Sequence, residues 1–152
     1  MISKIFLICG LAAGLAALAV IGYWFWRAKN PHQATVCAQQ HYFTVEIADN
    51  MISQAQGLMN RASLDADKGM LFVFRTNGIH KFWMKNTLIP LDIVWLDDSQ
   101  QVVFIEHNAK PCGTSECSAI SPDKNSRYVL EINGGIAEKI GLHIGDAVTI
   151  NE

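Results

Sequence analysis

Residues 81–93 read KFWMKNTLIPLDI, and the alternation at their start predicts an extended segment. Successive side chains of a strand point to opposite faces, so Lys81, Trp83 and Lys85 fall on one side and Phe82, Met84 and Asn86 on the other. Pro90 marks a turn. The following LDIVWL, Leu91–Leu96, is rich in branched and aromatic residues and reads as a second strand. Phe82 and Met84 are then core. Trp83, between two ammonium groups, either covers a neighbouring loop or forms a platform for a sugar or an anionic group. Asp92 shares a face with Val94 and Leu96, and a carboxylate on an apolar face needs a cation or several donors. Arg61, Lys85 and Asn86 are the candidates for that partner.

Outward from this segment, Leu91–Leu96 is expected to pair with residues 101–106 across Asp97-Asp98-Ser99, and residues 127–132 supply another strand. Asn133-Gly134-Gly135 opens a short helix, IAEKI, which Gly141 closes in a left-handed cap before a last strand, AVTI. The glycine pair lacks G-x-G-x-x-G and the P-loop Lys-Ser/Thr, so a tight turn is favoured over a phosphate loop. Towards the N-terminus, His41–Ala48 (HYFTVEIA) alternates and reads as a strand. Asp49 and Asn50 are N-caps for one amphipathic helix over residues 51–61, with its apolar side on the sheet. Gly57 inside it suggests close backbone approach. A loop over residues 62–68, the strand MLFVF and a turn at Thr76-Asn77-Gly78 complete this half of the chain.

Read together, RASLDADKGMLFVF, FWMKNTLIPLDI and RYVLEINGG resemble a bacterial and archaeal family known as DUF192, whose members share GLM-x-R, GMLF-x-F, FWMKNT-x-IPLDI and YVLE motifs. The resemblance covers residues 42–150 and departs visibly only at Asp97-Asp98-Ser99, where members often carry a glycine. The family brings no established activity. It implies that Arg61, Trp83, Lys85, Asn86, Asp92 and Glu131, which all fall on motif positions, form a polar cluster that either binds or clamps the hairpin. The expected fold class is α+β: a mostly antiparallel, strongly bent or barrel-like sheet with two short helices, preceded by an N-terminal transmembrane helix.

That helix is expected because residues 5–26 carry no charge, and as a helix they span about 33 Å, a bilayer core. Tyr23, Trp24 and Trp26 lie at the headgroup end, with Arg27 and Lys29 beyond. A retained anchor fits residues 1–29 better than a cleaved signal segment, although Ala17-Leu18-Ala19 offers a small-x-small site. Cys9 is read as a small apolar helix residue. Residues 30–38 are expected to be a linker and residues 39–152 a single domain.

Cys112 and Cys117 stand in PCGTSEC, a turn-rich loop in which the two sulfurs can meet. A disulfide is favoured over free thiols, and over a zinc site that would add His107 and borrow His80. A disulfide places the domain outside the cytoplasm. Cys37 is the odd cysteine, and nothing in the sequence pairs it.

After residue 30 all fourteen acidic residues remain, while Lys4, Arg27 and Lys29 drop out of the twelve basic ones, leaving about −5. Nucleic acid is therefore not an expected partner, since phosphate contact draws on clustered Lys and Arg. The five histidines show no metal spacing, no hydrolase motif appears, and no metal or cofactor is expected. Three function classes remain. The first is a binding or accessory module, held at the inner membrane by residues 5–26 with its domain in the periplasm, or secreted if the segment is cleaved. It would take a small-molecule or envelope ligand. The second is an enzyme acting on envelope material through Asp92, Glu131 or His80. The third is a small subunit of a membrane complex, for which Gly10 and Gly14 hint weakly at helix packing.

Overall fold

The alternating residues of HYFTVEIA, MLFVF and LDIVWL become neighbouring strands of one curled sheet. The computed structural model describes residues 32–113 and 116–151, with Val20 and Gly22 before them. Its elements in order are β1 (Gln33–Ala38), β2 (His41–Ala48), α1 (Met51–Gln56), β3 (Lys68–Gly78), β4 (Leu91–Leu96), β5 (Val102–Ala109), β6 (Ser126–Asn133), α2 (Ile136–Lys139) and β7 (Val148–Asn151). The strands are arranged in the order β5-β4-β6-β3-β2-β1-β7. Only β2 and β3 run parallel, because α1 carries the chain back between them.

The sheet bends until its outer strands approach. Gln101 bridges Ala147, Val102 N–H donates to the Asp146 carbonyl at 2.9 Å, and Ile150 N–H donates to Gln100 Oε1 at 3.2 Å. The result is an α+β half-barrel with two short helices among the described residues.

Both faces of this sheet are covered, so alternating side chains feed two cores. Val36, Val45, Leu71, Val94 and Leu130 pack on one face with Ala137 and Leu142 from the α2 region. Phe72, Ile93, Trp95 and Val129 pack on the other under Leu58 and Met84. Double coverage explains why every residue of β4 is buried. Trp95 anchors the second core, with Phe82 and Phe104 edge-on at 5.5 and 5.3 Å and its indole N–H donating to the His80 carbonyl at 2.8 Å.

Several sequence expectations change. Most of the expected linker is β1, paired with β2 from Gln33↔Glu46 to Ala38↔His41. Its buried residues include Ala34 and Ala38, too small to signal a strand. Helix α1 ends at Gln56 because Gly57 takes φ +50°, and its side chains Met51 and Ile52 are 86% and 80% exposed rather than on the sheet. The Asn50 cap holds, accepting from Ile52 and Ser53 N–H. The turn expected at Thr76-Asn77-Gly78 is the end of β3, whose ladder to β6 is irregular between Val73 and Gly78.

Residues 81–86 are not a sheet strand. They make isolated bridges, Phe82↔Ile120 and Lys85↔Cys112, to the loop before β6, yet the expected faces survive: Met84 is buried and Trp83 is 52% exposed. Cys112 and Cys117 are joined, with Cα atoms 6.0 Å apart, which removes both as thiols or zinc ligands. Cys37 is free and half-buried in β1. The expected transmembrane helix falls almost wholly outside the described residues, among which no helix is long and apolar enough to cross a membrane. The chain divides into Met1–His32 and Gln33–Glu152, and the curled sheet with both its cores belongs to the second unit.

Candidate functional site

Residues in register on adjacent strands point to the same face. Glu46 on β2 is opposite Met70 on β3, Met70 is opposite Glu131 on β6, and Glu131 is opposite Ile93 on β4. This row sets two glutamates on the Phe72/Trp95 face with their strands about 10 Å apart. Arg61, just beyond α1, takes Glu46 in a two-pronged grip, Nη1 to Oε1 at 2.5 Å and Nη2 to Oε2 at 2.7 Å. That hydrogen bond is the main reason the guanidinium pKa is raised.

Glu131 is treated differently. It is 5% exposed, and its Oε2 has no hydrogen-bond partner among the described residues. Burial pushes its pKa up to about 8, with the Arg61 charge pulling the other way. At neutral pH Glu131 therefore keeps its proton, and a neutral carboxyl can donate as well as accept.

A cleft of about 130 Å³ opens above this carboxyl, close to the volume of a cavity that takes one benzene ring, about 150 Å³. Gly57 and Glu131 help form its floor, Phe72 and Phe82 its wall, and Trp83 and Lys81 its rim. A side chain at Gly57 would start 3.3 Å from the Phe72 ring and 3.8 Å from Glu131 Oε2. The expected close approach at Gly57 is thus what leaves the cleft room. Lys85 Nζ lies 5.7 Å from the centre of the Trp83 ring, within cation–π range.

The segment bearing Trp83 is laced to the disulfide loop. Phe82 and Ile120 exchange two backbone hydrogen bonds, Cys112 N–H donates to the Met84 carbonyl, and Asn86 N–H donates to the Cys112 carbonyl. Asn86 is a turn residue at φ +56°, a conformation asparagine tolerates. Its carbonyl accepts from Asn60 N–H at 2.8 Å, next to Arg61.

Asp92 belongs elsewhere. It is fully buried on the opposite face, where it accepts from the backbone N–H groups of Asn108 (2.7 Å), Gly135 (2.9 Å) and Ala137 (2.7 Å). The expected cation is not used; none of Arg61, Lys85 or Asn86 is its partner. Its donors are main-chain groups that leave no trace in a sequence. Gly135 is the N-cap of α2 and Ala137 lies in its first turn, so the anion at the start of that helix is the chain's own carboxylate. A side chain at Gly134 would meet Asn108 Oδ1 at 2.6 Å.

Of the six residues expected to cluster, Glu131 and Trp83 share the cleft, Arg61 acts on it through charge, Lys85 covers Trp83, Asn86 shapes the turn, and Asp92 is on the far side of the sheet. Sequence reasoning misses Glu46. It falls on the polar side of the alternation Phe43-Thr44-Val45-Glu46-Ile47, where a carboxylate reads as an ordinary solvent-facing residue, unlike Asp92, which shares its face with Val94 and Leu96.

The family profile that matches, DUF192, is described as "Uncharacterized ACR" and spans residues 34–150. No curated protein matches. A crystal structure of a protein of unknown function from Novosphingobium aromaticivorans is 34% identical with a TM-score of 0.68, covering 77% of this chain and 83% of that one. Another, from Sinorhizobium meliloti and titled a "putative transcription regulator", is 32% identical with a TM-score of 0.73, covering 79% of this chain and 95% of that one. The family profile runs from β1 to β7, and the chain belongs to the DUF192 family.

Proposed function

We propose that the protein is a membrane-anchored module of the cell envelope that binds a small ligand in the Glu131 cleft and does not turn it over. The observation that carries this reading is the buried Glu131 carboxyl, unpartnered at Oε2 among the described residues, under a rim that includes a half-exposed tryptophan. The other carboxylates and the histidine weighed as acid–base partners for it are engaged elsewhere. Glu46 is held by Arg61, Asp92 is enclosed by three N–H groups on the other face, and the His80 ring stacks on Phe74 at 3.6 Å. The regulator title belongs to the Sinorhizobium protein. On this chain the acidic balance after residue 30 speaks against a nucleic-acid partner.

Placement outside the cytoplasm is supported by the uncharged residues 5–26 and by the disulfide. Alkaline phosphatase fused after Glu152 is expected to be active, and an active cytoplasmic reporter at the same point reverses the topology. For binding, the readout is Trp83. In the full-length protein in nanodiscs, the emission difference between wild type and Trp83→Phe isolates this indole from Trp24, Trp26 and Trp95. It is expected to be quenched by acrylamide and to shift when anionic peptidoglycan fragments are added. If the fragments are instead consumed, the module is an enzyme.

A further inference from the structure

The cleft is lined by four aromatic rings, Phe72, Phe74, Phe82 and Trp83, a surrounding that suits either a flat ligand or an organic cation. The neighbouring charges separate the two. Around Glu131 stand Arg61 from the turn after α1, Glu46 two strands away in the same row, and Lys81 on the cleft's rim. His80, against Phe74, is the nearby histidine. Arg61 and Glu46 neutralise each other, so the charge left over is that of Lys81, with Lys85 behind it over Trp83.

A cation entering here would stand beside an ammonium and would have to ionise a buried carboxyl. An oxyanion would meet the ammonium and a carboxyl able to donate.

We infer that the cleft takes the carboxylate end of a small anionic ligand, with the Glu131 carboxyl donating a hydrogen bond to it, Lys81 balancing its charge, and Phe82 and Trp83 flanking its body. This rests on the cleft being a binding site, as proposed above. The size suits one ring or a carboxylate on a short stem, with any larger body lying outside over Trp83. Binding is then linked to a proton. Once Glu131 ionises, its donor is gone and two carboxylates face each other, so affinity falls as pH rises through about 8.

The test uses the full-length protein in phosphatidylcholine nanodiscs, with empty nanodiscs as the blank. Benzoate, benzyl alcohol and benzylammonium are titrated by calorimetry at pH 6 and pH 9. Benzoate is expected to bind best at pH 6 and to weaken about tenfold at pH 9, the fraction of Glu131 still protonated there being about one tenth. Glu131→Gln, which cannot ionise, removes that pH dependence, and Lys81→Met weakens benzoate without affecting benzyl alcohol. Binding of benzylammonium or benzyl alcohol in preference to benzoate overturns the carboxylate assignment while leaving a binding cleft. A benzoate affinity indifferent to pH and to both substitutions overturns the roles of Glu131 and Lys81. If no probe binds and Trp83 stays silent to envelope fragments, the binding reading itself falls.

Discussion

Raising the pH from 5 to 9 is expected to destabilise the protein by up to about 4 kcal/mol, and Glu131→Gln to abolish most of that loss. The direction is opposite to that of a salt-bridged carboxylate. Glu131 has a folded pKa of about 8 against an ordinary value of 4.5. Below the lower value both states are protonated and the fold keeps its full stability. Between the two, the unfolded chain releases a proton that the folded chain retains, so stability declines with pH until both states are ionised above 8. At about 1.4 kcal/mol per pH unit, the interval gives the stated magnitude. Urea titrations of wild type and Glu131→Gln at pH 5, 7 and 9, monitored by circular dichroism, decide it. Parallel curves for the two proteins would mean that Glu131 is ionised in the fold.

The second large effect belongs to Asp92, on the other face. Asp92→Ala leaves three backbone N–H groups without an acceptor. At about 1–3 kcal/mol for each such orphan, the loss exceeds about 3 kcal/mol and is enough to unfold a marginal domain. Asp92→Asn is expected to be milder, at about 1–3 kcal/mol, because Oδ1 receives Asn108 and Gly135 while only Oδ2 faces Ala137. An asparagine carbonyl can keep the first two donors, and its NH₂ then opposes the third. Thermal melts of both variants test this ordering. Equal melting for wild type and Asp92→Ala would mean that water reaches these groups.

The contrast between these two carboxyls shows how far the sequence is legible. β2 and β4 are readable because large branched and aromatic residues alternate or run continuously over six to eight positions. The α+β class comes with them. β1 is not readable, since Ala34 and Ala38 bury little surface and only pairing with β2 and β7 makes them core. Apolar spacing extends the helix over residues 51–61 past its true end, because that spacing outvotes one glycine, and Gly57 at φ +50° stops the helix.

The sequence marks Asp92 as needing several donors or a cation, and the donors it finds are main-chain groups. Glu131 is marked through the family motif alone. Its burial depends on β6 lying between β3 and β4, a long-range arrangement that no local pattern encodes.

The strand order has a consequence for biosynthesis. β1 is flanked by β2 on one side and by β7, residues 148–151, on the other, so the earliest strand of the sheet to emerge from the ribosome must wait for the latest. The Gln101–Ala147 bridge adds a second such wait. Closing these distant pairs carries a loop-closure cost that slows folding. In a chain exported as proposed above, β1 can pair with β2 as soon as both have crossed, but its other edge stays open until β7 has followed it across the membrane.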